Sequence, residues 1–317
     1  VKSPIDLYQL GCRILQSGSA NSVVSPVGAA VSYAANTAER NLAEYLSMWR
    51  RWAGTPTTQP ENQPVVTIST RIVHVPEIKV PDFGHIPEVE VAAGEITQED
   101  LDRWVQKASA GLIMQSAIKP TSNLEKVVQN VVMFAATWQY PFQAANTSVE
   151  DFTTATGDVI PTPMMRSDYA LIPALKNPRW QSVRLNYSDT GLAAFILMPQ
   201  TFEPVTAQEL LEAVAEVNIT EETRVDLHLP KLELESASDC SMLFDGSTDL
   251  VHQATQQAML RVDEEGTVAG IVTEVAIASM LRDPVERFSF DRPFYVVIAD
   301  TSGLYPLVIG YVANPAG

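Results

Sequence analysis

Basic residues are scarce in this 317-residue chain: 21 lysines and arginines stand against 38 aspartates and glutamates, a formal net charge of −17. A surface of that sign repels phosphate backbones and anionic bilayers, which argues against nucleic-acid and membrane partners. Long apolar runs are missing too. The longest, Val127 to Trp138, is interrupted by Gln129 and Asn130 and falls short of the ~20 residues a spanning helix needs. Two cysteines, Cys12 and Cys240, permit at most one disulfide, and their flanks carry no CxxC or metal-binding spacing, so idle thiols are expected. The four histidines, His74, His85, His228 and His252, make no HxxxH or HExxH pair. His74 and His228 fall in alternating strand patterns, where an ordinary surface or sheet histidine is expected. There is no GxSxG elbow, no phosphate loop and no GxGxxG turn. Enzymatic chemistry has no visible seat, and neither cofactor nor metal is expected.

What is present is the composition of a folded protein, with 46% apolar and 19% charged residues. No repeat or composition break divides residues 1–317, so one large domain is expected. The start, Val1-Lys2-Ser3-Pro4, carries neither an initiator Met nor a signal peptide and reads as a processed mature end. Glycosylation sequons at Asn146, Asn186 and Asn218 lend modest support to secretion, since chance alone yields about as many.

Apolar periodicity predicts helices from Pro4 to Gln16, from Pro26 to Ala35, from a Thr37 cap to Trp49, from Thr97 to a stop at Gly111, and from Ala207 to Val217. Residues 53–64, AGTPTTQPENQP, read as a loop. Strands are expected at Ser22–Val24, Val65–Val75, Gln181–Leu185, Leu192–Met198, Arg224–Leu234, Ala258–Val262, Phe294–Ala299 and Leu307–Val312. Val127–Phe134 is β-branched and nearly continuous, as in a central strand buried on both faces, and Asn130 within it must find hydrogen-bond partners. Helices first, then many strands with few helices between, indicate an α+β fold with large, mainly antiparallel sheets.

From Asp263-Glu264-Glu265-Gly266-Thr267 the chain enters a run of small and β-branched residues reaching Met280. Thr267, Ala269, Ile271 and Thr273 fall on one face of a strand there, small enough to be buried. Five further stretches accompany Glu264-Glu265-Gly266-Thr267-x-Ala269 in collinear order. They are Asn21–Pro26 (NSVVSP), Asn130–Trp138 (NVVMFAATW) with Pro141-Phe142, Pro163-Met164-Met165, Leu227–Leu232 (LHLPKL), and Phe290-Asp291-Arg292-Pro293-Phe294 with Asn314-Pro315. Together these motifs resemble the serpin family of serine protease inhibitors over almost the whole chain.

The resemblance implies a serpin-like domain with a large central sheet, two further sheets, surrounding helices and an exposed reactive-centre loop over about residues 266–287. It implies a secreted, monomeric inhibitor that acts as a suicide substrate: a protease cleaves the loop, the freed arm inserts into the central sheet, and the acylated enzyme is trapped. Met280-Leu281 is then the scissile bond, which suits elastase-like or chymotrypsin-like enzymes; a register two residues later makes Arg282 the bait for a trypsin-like one. Glu264, Glu265, Gly266, Thr267 and Ala269 match the hinge. Ser25 and Asn130 match a cluster beneath the opening sheet, where Gly28 replaces a second serine and Gln256 the usual histidine. Trp138 and Lys231 match positions where the arm first enters, with Lys231 facing Glu264. Bulky Val268, Ile271 and Val272 are expected to slow insertion and keep a non-inhibitory carrier, chaperone or decoy as the alternative. One family helix is missing between Trp52 and Val65 and another is shortened between Cys240 and His252, a pruning that resembles virally encoded members. The first of these binds heparin in some relatives, so heparin is not an expected partner.

Overall fold

The computed structural model describes residues 3–15, 20–37, 42–53, 65–80, 86–188, 190–201, 203–245, 251, 253–267 and 285–316. In chain order the elements are α1 (Pro4–Ile14), β1 (Ser22–Val24), α2 (Pro26–Thr37), α3 (Leu42–Ala53), β2 (Val65–His74), β3 (Val89–Ala93), α4 (Gln98–Ala108), β4 (Lys126–Thr137), β5 (Ser148–Thr153), β6 (Val159–Lys176), β7 (Trp180–Asn186), β8 (Leu192–Pro199), α5 (Ala207–Asn218), β9 (Glu222–Pro230), β10 (Leu232–Asp239), β11 (Gln253–Val262), β12 (Gly266–Thr267), β13 (Glu286–Ser289), β14 (Phe294–Asp300) and β15 (Pro306–Val312).

Two assemblies of strands result, one of six strands in the order β10-β11-β12-β4-β2-β3 and one of nine in the order β1-β15-β14-β8-β7-β6-β9-β13, with β5 on β6. Pairing is antiparallel apart from β11–β4, β13–β9 and β2–β3. The nine-stranded assembly is two sheets joined through the long β6. Its first part pairs with β9, its last residues, Ala174–Lys176, pair with β7, and the register shifts between Ser167 and Ala170. Helix α2 lies against β2 and β4 of one assembly and β15 of the other. Its alanines, valines and glycine leave it without a polar face, so it suits a site buried on all sides.

Several boundaries depart from the sequence expectations for local reasons. Thr37 does not cap α3; it ends α2, and its hydroxyl donates to the carbonyl of Tyr33 at 2.8 Å. Arg224–Leu234 is not one strand, because the chain leaves β9 at Pro230 and enters the other assembly as β10 after Lys231. β11 begins at Gln253 rather than Ala258, its polar start disguised by glutamines whose amides bind neighbouring loops. β3, β5, β6 and β13 carry too little alternation, or too many prolines, to read as strands alone. The Thr97 hydroxyl does cap α4, accepting from the Asp100 amide, and Ala110 and Gly111 then turn the chain with φ of 51° and 84°.

Both cysteines are free, Cys12 half-buried and Cys240 buried. Burial pushes the thiols up to about 11 and about 12, so both stay protonated at neutral pH. No helix among the described residues is long and apolar enough to cross a membrane. In the core, Phe290 is fully buried with its ring 5.7 Å from that of Phe294. Phe290→Ala should therefore cost about 3–5 kcal/mol in urea unfolding. Ile219→Ala, at an 83% exposed position, should stay within about 0.5 kcal/mol of the parent.

Candidate functional site

β11 and β4 run parallel and pair from Gln253–Ala258 against Val127–Val132. Beyond Ala258 and Val132 the described ladder between them stops. The next link across the seam is β12, where Thr267 pairs with Val262 of β11 and Ala136 of β4, and Gly266 pairs with Thr137. Residues 266 and 267, expected at the start of an exposed loop, are instead buried as a short strand in the sheet. Glycine is needed at 266 because a Cβ there would run into the carbonyl oxygen of Ala136 and lie 2.7 Å from the Thr137 Cα.

The expected hinge residues from Glu264 to Thr267 are each held by the fold. The hydroxyl of Thr267, fully buried, hydrogen-bonds that of Tyr187 at 2.8 Å, and Tyr187 stacks on Trp138 with centroids 4.6 Å apart. Burial pushes the Tyr187 phenol well up, against the smaller downward effect of Thr267, so the hydroxyl stays neutral. The Trp138 indole N–H donates to the carbonyl of Asp263 at 2.9 Å, and its amide donates to that of Glu265 at 2.8 Å. Asp263 Oδ1 closes the turn by accepting from the amides of Glu265 and Gly266 at 3.1 and 3.2 Å. Glu264 pairs with Lys231 Nζ at 2.8 Å and accepts from the Thr147 hydroxyl at 2.7 Å. Burial alone would push the Glu264 carboxyl up. Hydrogen bonds from Lys231 and Thr147, and the Lys231 charge, outweigh it and hold the carboxyl below its ordinary value of 4.5.

Lower on the same seam, Gln256 and Asn130 stand opposite each other on β11 and β4, and Thr70 of β2 stands opposite Asn130. Gln256 accepts from the Ser25 amide at 2.6 Å and donates through Nε2 to the Ser25 carbonyl at 3.0 Å and to Asn130 Oδ1 at 2.8 Å. Asn130 Nδ2 donates in turn to the Ser69 carbonyl and the Thr70 hydroxyl at 3.2 and 3.0 Å. Ser25 Oγ accepts from the amide of Gly28 at 3.2 Å. A Cβ at Gly28 would lie 2.7 Å from Asn130 Oδ1 and 3.0 Å from Gln256 Nε2. Glycine at 28 and glutamine at 256 thus belong together: the first leaves the room that the second occupies.

One charged cluster escaped the sequence reading. His228, 2% exposed, places Nδ1 at 2.8 Å from Glu150 and Nε2 at 3.1 Å from Asp226, while Arg287 Nη2 lies 3.0 Å from both Glu150 Oε2 and His228 Nδ1. Arg166 completes the chain of charges by donating to Asp226 at 3.1 Å. Burial opposes ionisation of Asp226, but Arg166 and His228 prevail and hold its carboxyl low. Four strands, β5, β6, β9 and β13, supply these side chains, so no sequence spacing marks them. They fasten β13, where the described chain resumes at 285, to its neighbours.

Other expected positions are scattered. Ala269, Met280, Leu281 and Arg282, together with Val268, Ile271, Val272, His85 and His252, lie outside the described residues, as do residues 54–64 and 246–250, where the pruned segments fall. Of the sequons, Asn146 is half-buried in a 3₁₀ turn and Asn186 donates to Gln139 at 3.2 Å. The Asn218 amide is engaged within the fold, donating to the Thr301 carbonyl at 3.0 Å and accepting from Arg184 at 3.1 Å.

Two measurements probe this geometry. Gln256→Ala leaves Asn130 Oδ1 and the Ser25 amide without this partner, while the Ser25 carbonyl keeps its bond from the Ala29 amide, and should lower the unfolding free energy by about 2–4 kcal/mol in urea titration. Because the Glu264 carboxyl is held below 4.5, its contribution is complete above that pH and is lost as pH falls through the lower, folded value. Between pH 5 and 3 the wild type should therefore lose more thermal stability than Glu264→Gln, a difference read by paired melting curves.

Comparison with known proteins bears on what this arrangement is. The family model described as serpin (serine protease inhibitor) matches residues 86–246 and 237–315, well over half the chain. A model of the RES domain matches residues 15–154, less than half, and overlaps it. An alpha-1-antitrypsin-like protein of Tamias sibiricus is 27% identical over 246 residues, covering 70% of this chain and 58% of that protein. An uncharacterized serpin-like protein of fowlpox virus (strain NVSL) is 28% identical, covering 67% of each. This chain therefore aligns with less than two thirds of the length of the first of these. Among solved structures, the thermophilic serpin tengpin in its native state superposes with a TM-score of 0.80 at 18% identity, covering 98% of this chain and 93% of that one. Thyroxine-binding globulin in complex with thyroxine superposes with a TM-score of 0.76 at 16% identity, covering 99% and 98%. Likenesses at such identities speak for the fold, which is the α+β fold of serpins; with the family match over well more than half of the chain, β4 and β11 included, the chain belongs to the serpin family.

Proposed function

We propose that this serpin is a secreted, monomeric suicide inhibitor of a serine protease, cleaved between Met280 and Leu281, whose freed arm continues β12 down the seam between β11 and β4. The observation that carries the proposal is the seam itself: two parallel strands whose described ladder stops at Ala258 and Val132, with Thr267 above it already paired to both and Gly266 paired to β4. Extending β12 would replace one parallel ladder by two antiparallel ones. About a dozen added residues correspond to roughly ten net hydrogen bonds at ~1 kcal/mol each, comparable with the ~5–15 kcal/mol that stabilises a whole domain. That is enough to drive a large rearrangement, and breaking the single Gln256–Asn130 bond across the seam is a small obstacle beside it.

Met280 as bait favours an elastase-like or chymotrypsin-like enzyme; cleavage after Arg282 would instead point to a trypsin-like one. The charge of −17 argues against heparin as a cofactor. Of the sequons, Asn146 is the first candidate glycan acceptor, since the Asn186 and Asn218 side chains are engaged within the fold. A non-inhibitory carrier is the second reading, favoured by the bulk of Val268 and Ile271 and by the likeness in fold to a thyroxine-binding protein.

Incubation with elastase, chymotrypsin and trypsin distinguishes the readings. Inhibition predicts a detergent-stable complex with one class, a released fragment beginning at Leu281, and a cleaved form that melts well above the intact one. Clean cleavage with no covalent complex and no rise in melting temperature would sink the inhibitory reading and leave the carrier.

A further inference from the structure

The His228 ring has more hydrogen-bond partners than one protonation state can serve. Nε2 lies 3.1 Å from Asp226 Oδ2 and must carry a proton to donate there. Nδ1 lies 2.8 Å from Glu150 Oε1 and 3.0 Å from Arg287 Nη2. A carboxylate accepts and a guanidinium donates. Nδ1 therefore serves Glu150 when it holds a proton and Arg287 when it offers its lone pair, and it cannot serve both at once.

Among the described residues, charged groups approach this ring from each of the four strands around it. Glu150 comes from β5, Asp226 from β9 and Arg287 from β13, while Arg166 of β6 donates to Asp226 at 3.1 Å. Burial opposes ionisation of Asp226, but Arg166 and His228 hold its carboxyl low, so it keeps its claim on the Nε2 proton from neutral to mildly acidic pH. The proton that comes and goes is then the one on Nδ1. Both partners of Nδ1 already stand at hydrogen-bonding distance, so the exchange between them needs no rotation of the buried ring.

We propose that His228 is a pH-dependent clip on β13. With a neutral ring, Nδ1 accepts from Arg287, which stands opposite Asp226 in the ladder, and ties β13 to β9. With a protonated ring, Nδ1–H donates to Glu150, and the imidazolium repels the Arg287 guanidinium and releases it. Histidines change charge between about pH 8 and pH 5, so β13 is tightened at the upper end of that range and slackened at the lower. The clip goes beyond the inhibitory reading and does not rest on it.

Two measurements on the whole chain test this. NMR of ¹⁵N-labelled histidines reads the ring directly, and Arg287→Ala, at a side chain 56% exposed, identifies the His228 signals by their displacement. At about pH 8 the wild type should show a protonated Nε2 and a bare Nδ1, and at about pH 5 both nitrogens protonated. Amide exchange over Glu286–Ser289, corrected for the intrinsic effect of pH, should be about tenfold faster at the lower pH, matching the loss of one charge-assisted hydrogen bond. Arg287→Ala should show that faster exchange at both pH values. A neutral ring protonated on Nδ1, a wild-type protection that does not change with pH, or a pH dependence that survives Arg287→Ala would each overturn the proposal.

Discussion

The structure turns on a seam that is only partly closed. β11 and β4 are parallel neighbours whose described ladder ends at Ala258 and Val132; above it, β12 is the link between them among the described residues. A strand edge inside a sheet needs a ladder partner, because backbone N–H and C=O groups left without one are costly. The rest of the molecule is organised around that cost. α2 packs beneath, Trp138 and Tyr187 seal the top, and the Lys231–Glu264–Thr147 contacts fix the point where the chain leaves β11.

The chain on the two sides of residues 268–284 is held by different means. On the amino-terminal side, backbone bonds from Trp138 and Phe142 grip Glu265 and Glu264, and a single buried hydroxyl pair fixes Thr267. On the carboxy-terminal side, β13 is fastened by buried aromatic side chains, Phe288 and Phe290, and by the His228 charge cluster. The first set consists of local bonds that can be exchanged for ladder bonds one at a time. The second is a packed, charged anchor that would have to come apart as a unit. That asymmetry suits the proposed insertion, in which the amino-terminal side moves and the carboxy-terminal side stays.

Much of this was legible in the sequence, though unevenly. The buried run around Asn130 announced a central strand and a polar residue needing partners, and both are present. Gly28 and Gln256 looked like two independent departures from the family pattern; only the fold brings them within contact and makes them one substitution in effect. The His228 cluster was hidden because its partners come from four strands, and cross-strand register is not encoded in spacing along the chain. Thr267 was legible as small enough to be buried, but not as already part of the sheet, since a small residue next to a glycine suits a loop and a strand equally until Tyr187 and Ala136 close on it.

Hydrogen exchange at the seam measures the central claim most directly. In the intact protein those amides of Met133–Ala135 in β4 and Met259–Arg261 in β11 that face the seam, rather than β2 or β10, should exchange faster than the seam-facing amides of the paired lower segments. After cleavage at Met280 the same amides should become as slow as the sheet below them, as the inserted arm completes both ladders. Unchanged exchange in the cleaved protein would contradict insertion, and with it the reading of the seam as a slot for the loop.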